Sequence, residues 1–508
     1  MTDELALRRW IAQARFDRDV LALGGILCLA AALRFYDLGG PSLWYDEIAS
    51  LTFARQPLAL LWSDWMLRET NPPLYYSVLH VWIRLFGESE LSLRWPSALA
   101  GTAVVWLVYQ AAAELGLKRA GVLAALLTTI SSLQIYCSQE ARAYIFTELA
   151  ALVAVLGLLR IGKGLSRSSP TSEVLCGLAL YGAGVIAALY LHTTMVAVPM
   201  VSTAIFAALW VRHRDRSWRV AGLFMATNAV ALFAWAWWLW ISLQQMSMPR
   251  PNFGWMTQPD PIGALAIATW TLMPRSPEFF SGLASLALLV PALIGAWQLR
   301  GDRRIVLLGF LIGAPLLLYA LGFISPVLTI RTLLWATFAA SIALATACLA
   351  ARSQALRFGM PVMLIILASW HAVEVAAHRD REPWREIVAY VSAQAGPGGV
   401  LVFKDDSIGL ILDYYCQPAR CSFARYRISA ESDGTERWAE GLWTGRKIAP
   451  SDIAGLFADR SEVWAIRRTY SVPAPHLWGL AREEFWREPP LMKPDYLQIT
   501  PWRRLEDT

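Results

Sequence analysis

Charge is scarce in this sequence: 17% of its 508 residues are Asp, Glu, Lys or Arg, against roughly a quarter in average proteins. A soluble fold of this length needs more polar surface than that, so an ordinary soluble enzyme is excluded. Intrinsic disorder is excluded by the opposite argument, because 56% of the chain is hydrophobic. Cysteine is sparse as well; 6 residues in 508 do not make a disulfide framework. No HExxH, no CxxC pair, no Walker loop and no GxGxxG occur, so neither a zinc site nor a nucleotide site is supported. We see no internal repeat, low-complexity tract or cleavable signal, and the first apolar segment is expected to serve as an uncleaved anchor. What is abundant is tryptophan, 25 residues, and apolar length, with a mean hydropathy of +0.41. The chain reads as a polytopic membrane protein.

A helix needs about 20 mostly apolar residues to cross a hydrocarbon core ~30 Å thick. Uncharged or nearly uncharged runs occur at Val20–Leu33, Trp95–Ala113, Ala120–Gln139, Ala143–Leu159 (interrupted by Glu148), Val220–Trp240, Phe279–Leu299, Ile305–Phe323, Thr332–Ala351 and Phe358–Val373. Val174–Val211 carries no Asp, Glu, Lys or Arg and is long enough for two spans with a break at His192-Thr193-Thr194, which gives eleven in all. With the amino terminus inside, the short inner connections hold 18 Lys and Arg and the longer outer ones hold 9. That bias sets the orientation and explains the net charge of +6 without a nucleic-acid partner. The transmembrane domain covers 1–378. An odd number of spans places the last part of the chain, 379–508, outside, where charges return. A WREIVAYV helix (Trp384–Val391), a Gly-rich turn (Gly396–Gly399) and a VLVF strand (Val400–Phe403) point to a small α/β domain. Its Cys416 and Cys421 are a candidate local disulfide, with two free thiols the alternative.

The first outer loop, about 37–94, is too long to be a mere connection. Asp46–Trp65 and Pro72–Phe86 are expected as amphipathic helices on the membrane surface. WYDE (Trp44 to Glu47) heads the first. Its Asp46 either satisfies the helix amino terminus or takes a proton from a hydroxyl nucleophile. The second outer loop is SQEARAY, with Glu140, Arg142 and Tyr144; if the helix begins near there, Glu140, Tyr144 and Glu148 share one face. An intramembrane Glu148 is either functional or one half of a structural ion pair with Arg142 or Arg94. Arg331, after the Ser325-Pro326 break, is either an interfacial anchor or a bidentate phosphate clamp. His192 is either a polar turn residue or a substrate contact.

The strings SLWYDEIAS, NPPLYYSVLHVWIRLFGESELSLRWPSALAG and SQEARAY, in that order, resemble the C-type membrane glycosyltransferases, in the bacterial branch related to protein O-mannosyltransferases and the lipid A aminoarabinose transferase. The likeness is strongest over Leu38–Arg160. It implies an inverting transfer of a sugar from a polyprenyl-phosphate donor to an acceptor hydroxyl on a membrane lipid, glycan or protein, at the outer face of a bacterial inner membrane. By that resemblance Asp46 is the catalytic carboxylate, Glu140 a second acidic residue, and Arg331 the contact to the carrier phosphate. Arg142 and Arg94 are the further donor-phosphate candidates, and Tyr45, Glu47, Tyr75, Tyr144 and His192 the substrate-binding ones. One relative has Lys before the Pro-Pro pair where this chain has Asn71, so no phosphate contact carries over there.

The chemistry agrees with the resemblance. A polyprenyl phosphate leaves already ionised, so one carboxylate base suffices where a glycoside hydrolase needs two. Arginines would stabilise the charge that develops on the phosphate. No cofactor is expected outright, and a divalent metal between Asp46 and Glu140 is left open. The alternative function is a lipid-linked sugar transporter or flippase, disfavoured because inverted repeats and broken mid-bilayer helices are not seen.

Overall fold

The computed structural model describes residues 2–165, 171–213, 217–248, 257–271, 278–377, 382–395 and 398–416, and then shorter stretches between 421 and 504. It is a polytopic helical membrane protein with a small mixed sheet near its carboxyl end. Helices run in the order α1 (Thr2–Phe35), α2 (Tyr45–Ala54), α3 (Leu58–Leu61), α4 (Leu74–Phe86), α5 (Glu90–Glu114), α6 (Lys118–Ile130), α7 (Ser132–Ser138), α8 (Tyr144–Lys163), α9 (Thr171–Leu191) and α10 (Ala197–Arg212). They continue with α11 (Trp218–Met246), α12 (Pro261–Trp270), α13 (Glu278–Gln298), α14 (Asp302–Leu308), α15 (Ala314–Leu321), α16 (Thr337–Ala350), α17 (Gln354–Ala377), α18 (Trp384–Ala395) and, after strand β1, α19 (Asp406–Tyr415).

The ten apolar runs, read as eleven spans, fall mostly in helical structure. Among the described residues six helices are long and apolar enough to cross a membrane, and α6 with α7, bent by 62°, make a seventh if counted as one span. Shorter apolar helices lie at Leu288–Gln298, Leu334–Ala350 and Gln354–Trp370. The break between α9 and α10 sits at His192, whose Nδ1 accepts the Thr194 N–H at 3.2 Å. One expectation is corrected. Asp46–Trp65 is not one helix, because Pro57 cannot donate to a continuing ladder; α2 stops at Ala54, and α3 and a 3₁₀ turn over Asp64–Arg68 follow. Between the apolar runs Val220–Trp240 and Phe279–Leu299, where the sequence shows only a connection, lies α12, started by Asp260, whose Oδ1 accepts the Gly263 N–H at 2.6 Å, and by Pro261 in the first turn.

The long loop is tied down on the ends of the helices. Gln245 at the end of α11 donates to the carbonyls of Met66 and Glu69 at 3.2 and 2.5 Å, and Thr193 donates to the Thr70 carbonyl at 2.8 Å. His80 of α4 donates from Nδ1 to the Ala54 carbonyl at 2.8 Å, locking α4 against α2.

The sheet has the order β3-β2-β1-β4-β6-β5, with β1 (Val400–Phe403), β2 (Ala424–Ile428), β3 (Arg446–Ile448), β4 (Glu462–Arg468), β5 (Leu480–Arg482) and β6 (Leu497–Arg504). β1 to β4 pair in parallel, and β6 and β5 continue antiparallel. The β1-α19-β2 unit is a parallel crossover, and β1 is buried along its whole length as a central parallel strand requires. Cys416 and Cys421, at the end of this crossover, form a disulfide.

Helices α8 and α9 meet through glycine. A Cβ on Gly184 would lie 2.5 Å from the Ala154 nitrogen and 2.7 Å from the Ala150 carbonyl oxygen, so the two backbones approach as only small residues allow. Gly184→Ala is therefore expected to lower thermal stability in detergent by about 1–3 kcal/mol of overpacking. An unchanged melting temperature would show that these helices are not in such close contact.

Candidate active site

The site begins with two neighbouring carboxylates that point in different directions. Successive residues of a helix are turned by about 100°, so in the first turn of α2 Glu47 faces inward and Asp46 outward. Glu47 is fully buried and so is its partner Arg94 of α5, the ion pair closing at 2.6 Å. Arg94 uses all its donors. Nε and Nη2 bind Glu47 at 2.7 and 2.6 Å, Nη1 binds the carbonyls of Leu38 and Pro41 at 2.9 and 2.8 Å, and Nη2 also reaches the Ser42 carbonyl at 2.9 Å. Glu47 in turn accepts the Ala141 N–H at 2.8 Å and the Trp44 N–H at 3.4 Å. One buried pair thus fixes the entry to α2, the start of α5 and the 139–143 turn. Arg94, expected at a donor phosphate, and Glu47, expected at a substrate, are here enclosed and bonded to each other.

Asp46 points instead toward two guanidinium groups. Its Oδ2 lies 3.5 Å from Nη1 of Arg331 and 3.8 Å from Nε of Arg142. Arg331 stands between two acids, since its Nη2 also lies 3.5 Å from Oε1 of Glu140 and donates to the Tyr136 hydroxyl at 3.1 Å. The guanidinium is ringed by Trp44, Tyr144 and Tyr136, with centroids 4.9, 5.4 and 5.6 Å from Cζ, a cation–π setting. Burial opposes the Arg331 charge, but Glu140 first, then Tyr136 and Tyr144, and last Asp46 outweigh it and hold its pKa above the ordinary value. Burial and then Asp46 act in the same two senses on Arg142, with the same net direction. Exposure separates the roles these groups can play: Arg331 and Asp46 side chains are 28% and 21% accessible, Arg142 10% and Glu140 none.

Arg142 also donates to the Asp46 carbonyl and the Ser50 hydroxyl, both at 3.3 Å, and lies over Tyr144 at 5.7 Å. Tyr144 packs on His192 with centroids 5.9 Å apart. Burial, and next Arg142, press the His192 pKa down to about 4, so the ring is neutral near pH 7. Tyr75 is buried against Tyr76 and Phe146, behind the site rather than on it. Tyr45 is half-buried, and its N–H donates to Glu382 at 3.1 Å.

The expected common face of Glu140, Tyr144 and Glu148 is not formed, because α8 starts at Tyr144 and Glu140 sits in the turn before it. Glu148 pairs with neither Arg142 nor Arg94; it accepts from Gln134 at 2.6 Å and Thr337 at 3.2 Å. Sequence reasoning missed Tyr136 as a neighbour of Arg331; the available signal was its place one helical turn before Glu140 on α7. It also missed Glu69, buried beside the site with Asn71 donating to it from N and Nδ2 at 3.0 and 2.8 Å. Burial raises the Glu69 pKa, with Arg142 and then Asn71 working against the rise. Among the described residues no three His, Cys, Asp or Glu side chains gather around one point.

Residues 70–241 match the family described as dolichyl-phosphate-mannose-protein mannosyltransferase. That segment contains Arg94, Glu140, Arg142, Tyr144 and His192, but neither Asp46 nor Arg331. Among solved structures the chain is similar to ArnT from Cupriavidus metallidurans in the apo state, at 14% identity over 96% of this chain and 98% of that one, with a TM-score of 0.48. It is similar to the same protein bound to undecaprenyl phosphate at 15% identity, over 94% and 97% of the two chains, TM-score 0.46. It is also similar to the oligosaccharyltransferase AglB from Archaeoglobus fulgidus in complex with an inhibitory peptide and a dolichol-phosphate, at 10% identity over 88% and 69%, TM-score 0.49. No curated protein matches the chain by sequence.

The buried pair makes its own prediction. Arg94→Met leaves Glu47 charged and unpaired, which costs about 3–5 kcal/mol, so the variant should be poorly recovered from membranes. Adding Glu47→Leu should restore recovery. Normal recovery of Arg94→Met alone would mean the pair is not structural.

Proposed function

We propose that this chain, whose residues 70–241 match the mannosyltransferase family, moves a glycosyl group from a polyprenyl-phosphate-linked donor to an acceptor hydroxyl, with inversion, at the outer face of the membrane. The observation that carries this reading is the placement of Arg331 between Asp46 and Glu140. It puts an accessible carboxylate and an accessible guanidinium within one ion-pair distance, at a face reached by the loops that the positive-inside bias assigns to the exterior. The description of the matched family names dolichyl-phosphate-mannose, a lipid-phosphate-linked sugar, which supports this reading.

In this mechanism the guanidinium changes anion. Without donor, Arg331 is held by Asp46 and Glu140; with donor, the phosphate oxygens take its fork, as planar bidentate geometry favours. Glu140, wholly buried, stays behind as the group that keeps Arg331 in place and charged. Arg142 supplies a second cation beside the leaving phosphate. Asp46, released from Arg331, accepts the proton of the acceptor hydroxyl as its oxygen attacks the anomeric carbon. The carbon–oxygen bond to the carrier breaks, and its electron pair stays on the phosphate. Tyr144 and the neutral His192 border the space for the sugar, and Trp44 shields the cation from water. Residues 1–378 form the catalytic membrane domain and 379–508 a separate exterior domain.

Two substitutions separate the roles. Asp46→Asn should bind polyprenyl phosphate normally and transfer about 10²–10⁴-fold more slowly. Arg331→Ala should instead weaken binding of polyprenyl phosphate, and Arg331→Lys should restore it only in part. Both are read with purified enzyme, by lipid binding and by mass spectrometry of the glycosylated product. Full transfer by Asp46→Asn, or undiminished lipid binding by Arg331→Ala, would remove the corresponding role.

A further inference from the structure

The helix that presents Asp46 is capped from within only by Glu47, which accepts the Trp44 N–H. The N-cap position of α2 is Trp44, which makes no side-chain cap hydrogen bond and whose indole has no oxygen to accept one. Serine, threonine, aspartate and asparagine are the usual solutions. The first helical N–H, that of Tyr45, is satisfied from 337 positions away, by Oε2 of Glu382 at 3.1 Å. The same oxygen accepts the indole N–H of Trp384 at 2.7 Å, which fixes the carboxylate in place.

The rest of the approach to α2 is held by the same region. The Leu43 N–H donates to the Tyr415 hydroxyl at 2.6 Å, and that hydroxyl donates onward to Glu90 at 3.3 Å. Ser42 accepts the Arg385 N–H at 3.1 Å, and Arg385 also donates to the Gly40 carbonyl at 2.9 Å. Arg94 grips the carbonyls of Leu38, Pro41 and Ser42. The segment leading to Asp46 is therefore strapped between a buried arginine and the carboxyl-terminal region. Arg331 and Arg142 come from other segments and take no part in the strap.

We propose that Glu382 and Tyr415 are positioning residues for transfer: they cap and anchor the start of α2 and so set Trp44 and Asp46 against Arg331. The inference rests on the reading of Asp46 as the proton acceptor. It gives the carboxyl-terminal region a part in the reaction, by completing the active-site helix from a distant part of the same chain. Glu382 suits this position twice over, as a hydrogen-bond acceptor and as a negative charge at a helix amino terminus.

The test uses the full-length protein in nanodiscs, with Glu382→Ala, Glu382→Gln and Tyr415→Phe. Three quantities are read: amide hydrogen exchange of the 42–48 segment, binding of polyprenyl phosphate alone, and the transfer rate. Glu382→Ala should speed exchange in that segment at least about tenfold and lower the transfer rate by about as much, while polyprenyl-phosphate affinity stays within about threefold. Glu382→Gln keeps an oxygen for the Tyr45 N–H and should recover most of the rate. Tyr415→Phe, which keeps the ring, should loosen the same segment and slow transfer to a lesser degree. The proposal is overturned if exchange is unchanged, if transfer is unaffected although exchange rises, or if Gln is as defective as Ala. A wild-type protein that transfers no sugar would instead sink the functional reading, a result the exchange data cannot mimic.

Discussion

A carboxylate cannot stay charged out of water without a partner, and the Glu47–Arg94 pair is the arrangement on which this active-site face depends. Arg94 spends every donor on Glu47 and on three carbonyls of the incoming strand, and Glu47 reaches across to the 139–143 turn. Three segments remote in sequence are thereby fixed to one point. Because Glu47 must face that point, its neighbour Asp46 must face away from it, toward Arg331 and Arg142. Two adjacent acids in one tetrapeptide thus take different places, one as a buried pin and one as an accessible carboxylate beside two arginines.

Around Arg331 the logic is that of a cation stored among weak partners. Its contacts to Asp46 and Glu140 are 3.5 Å long, beyond the length of a strong charge-assisted hydrogen bond, and its flat faces are covered by aromatic rings. Such a group is ionised and preoriented, yet not committed to a bidentate pair. In the proposed reaction a phosphate would take the place of these carboxylates on the guanidinium fork. The bend between α6 and α7 contributes by bringing Tyr136 and Glu140 to this level.

Much of this was legible in the sequence, and the parts that were not have physical reasons. Uncharged runs locate the helices because the bilayer tolerates little else, and His192 marks the hairpin break because it interrupts such a run. Asp46, Glu140, Arg142 and Arg331 were identifiable as charged residues at span ends, and they converge. Which acid pairs with which arginine was not identifiable: Glu47 with Arg94 is a choice made by burial, and Glu148 found Gln134 and Thr337 because an uncharged donor can satisfy a carboxyl where an arginine is out of reach. The helix α12 lay hidden because ten apolar residues are too few for a span. The cap from Glu382 could not be anticipated, since nothing in WYDE says that the acceptor lies 337 residues away.

The most direct measurement is a structure of the protein with polyprenyl phosphate bound. The account predicts the phosphate seated on the Arg331 fork with Arg142 nearby, the Asp46–Arg331 contact opened, and the Glu47–Arg94 pair unchanged. A phosphate bound away from Arg331, with the Asp46 contact intact, would contradict it.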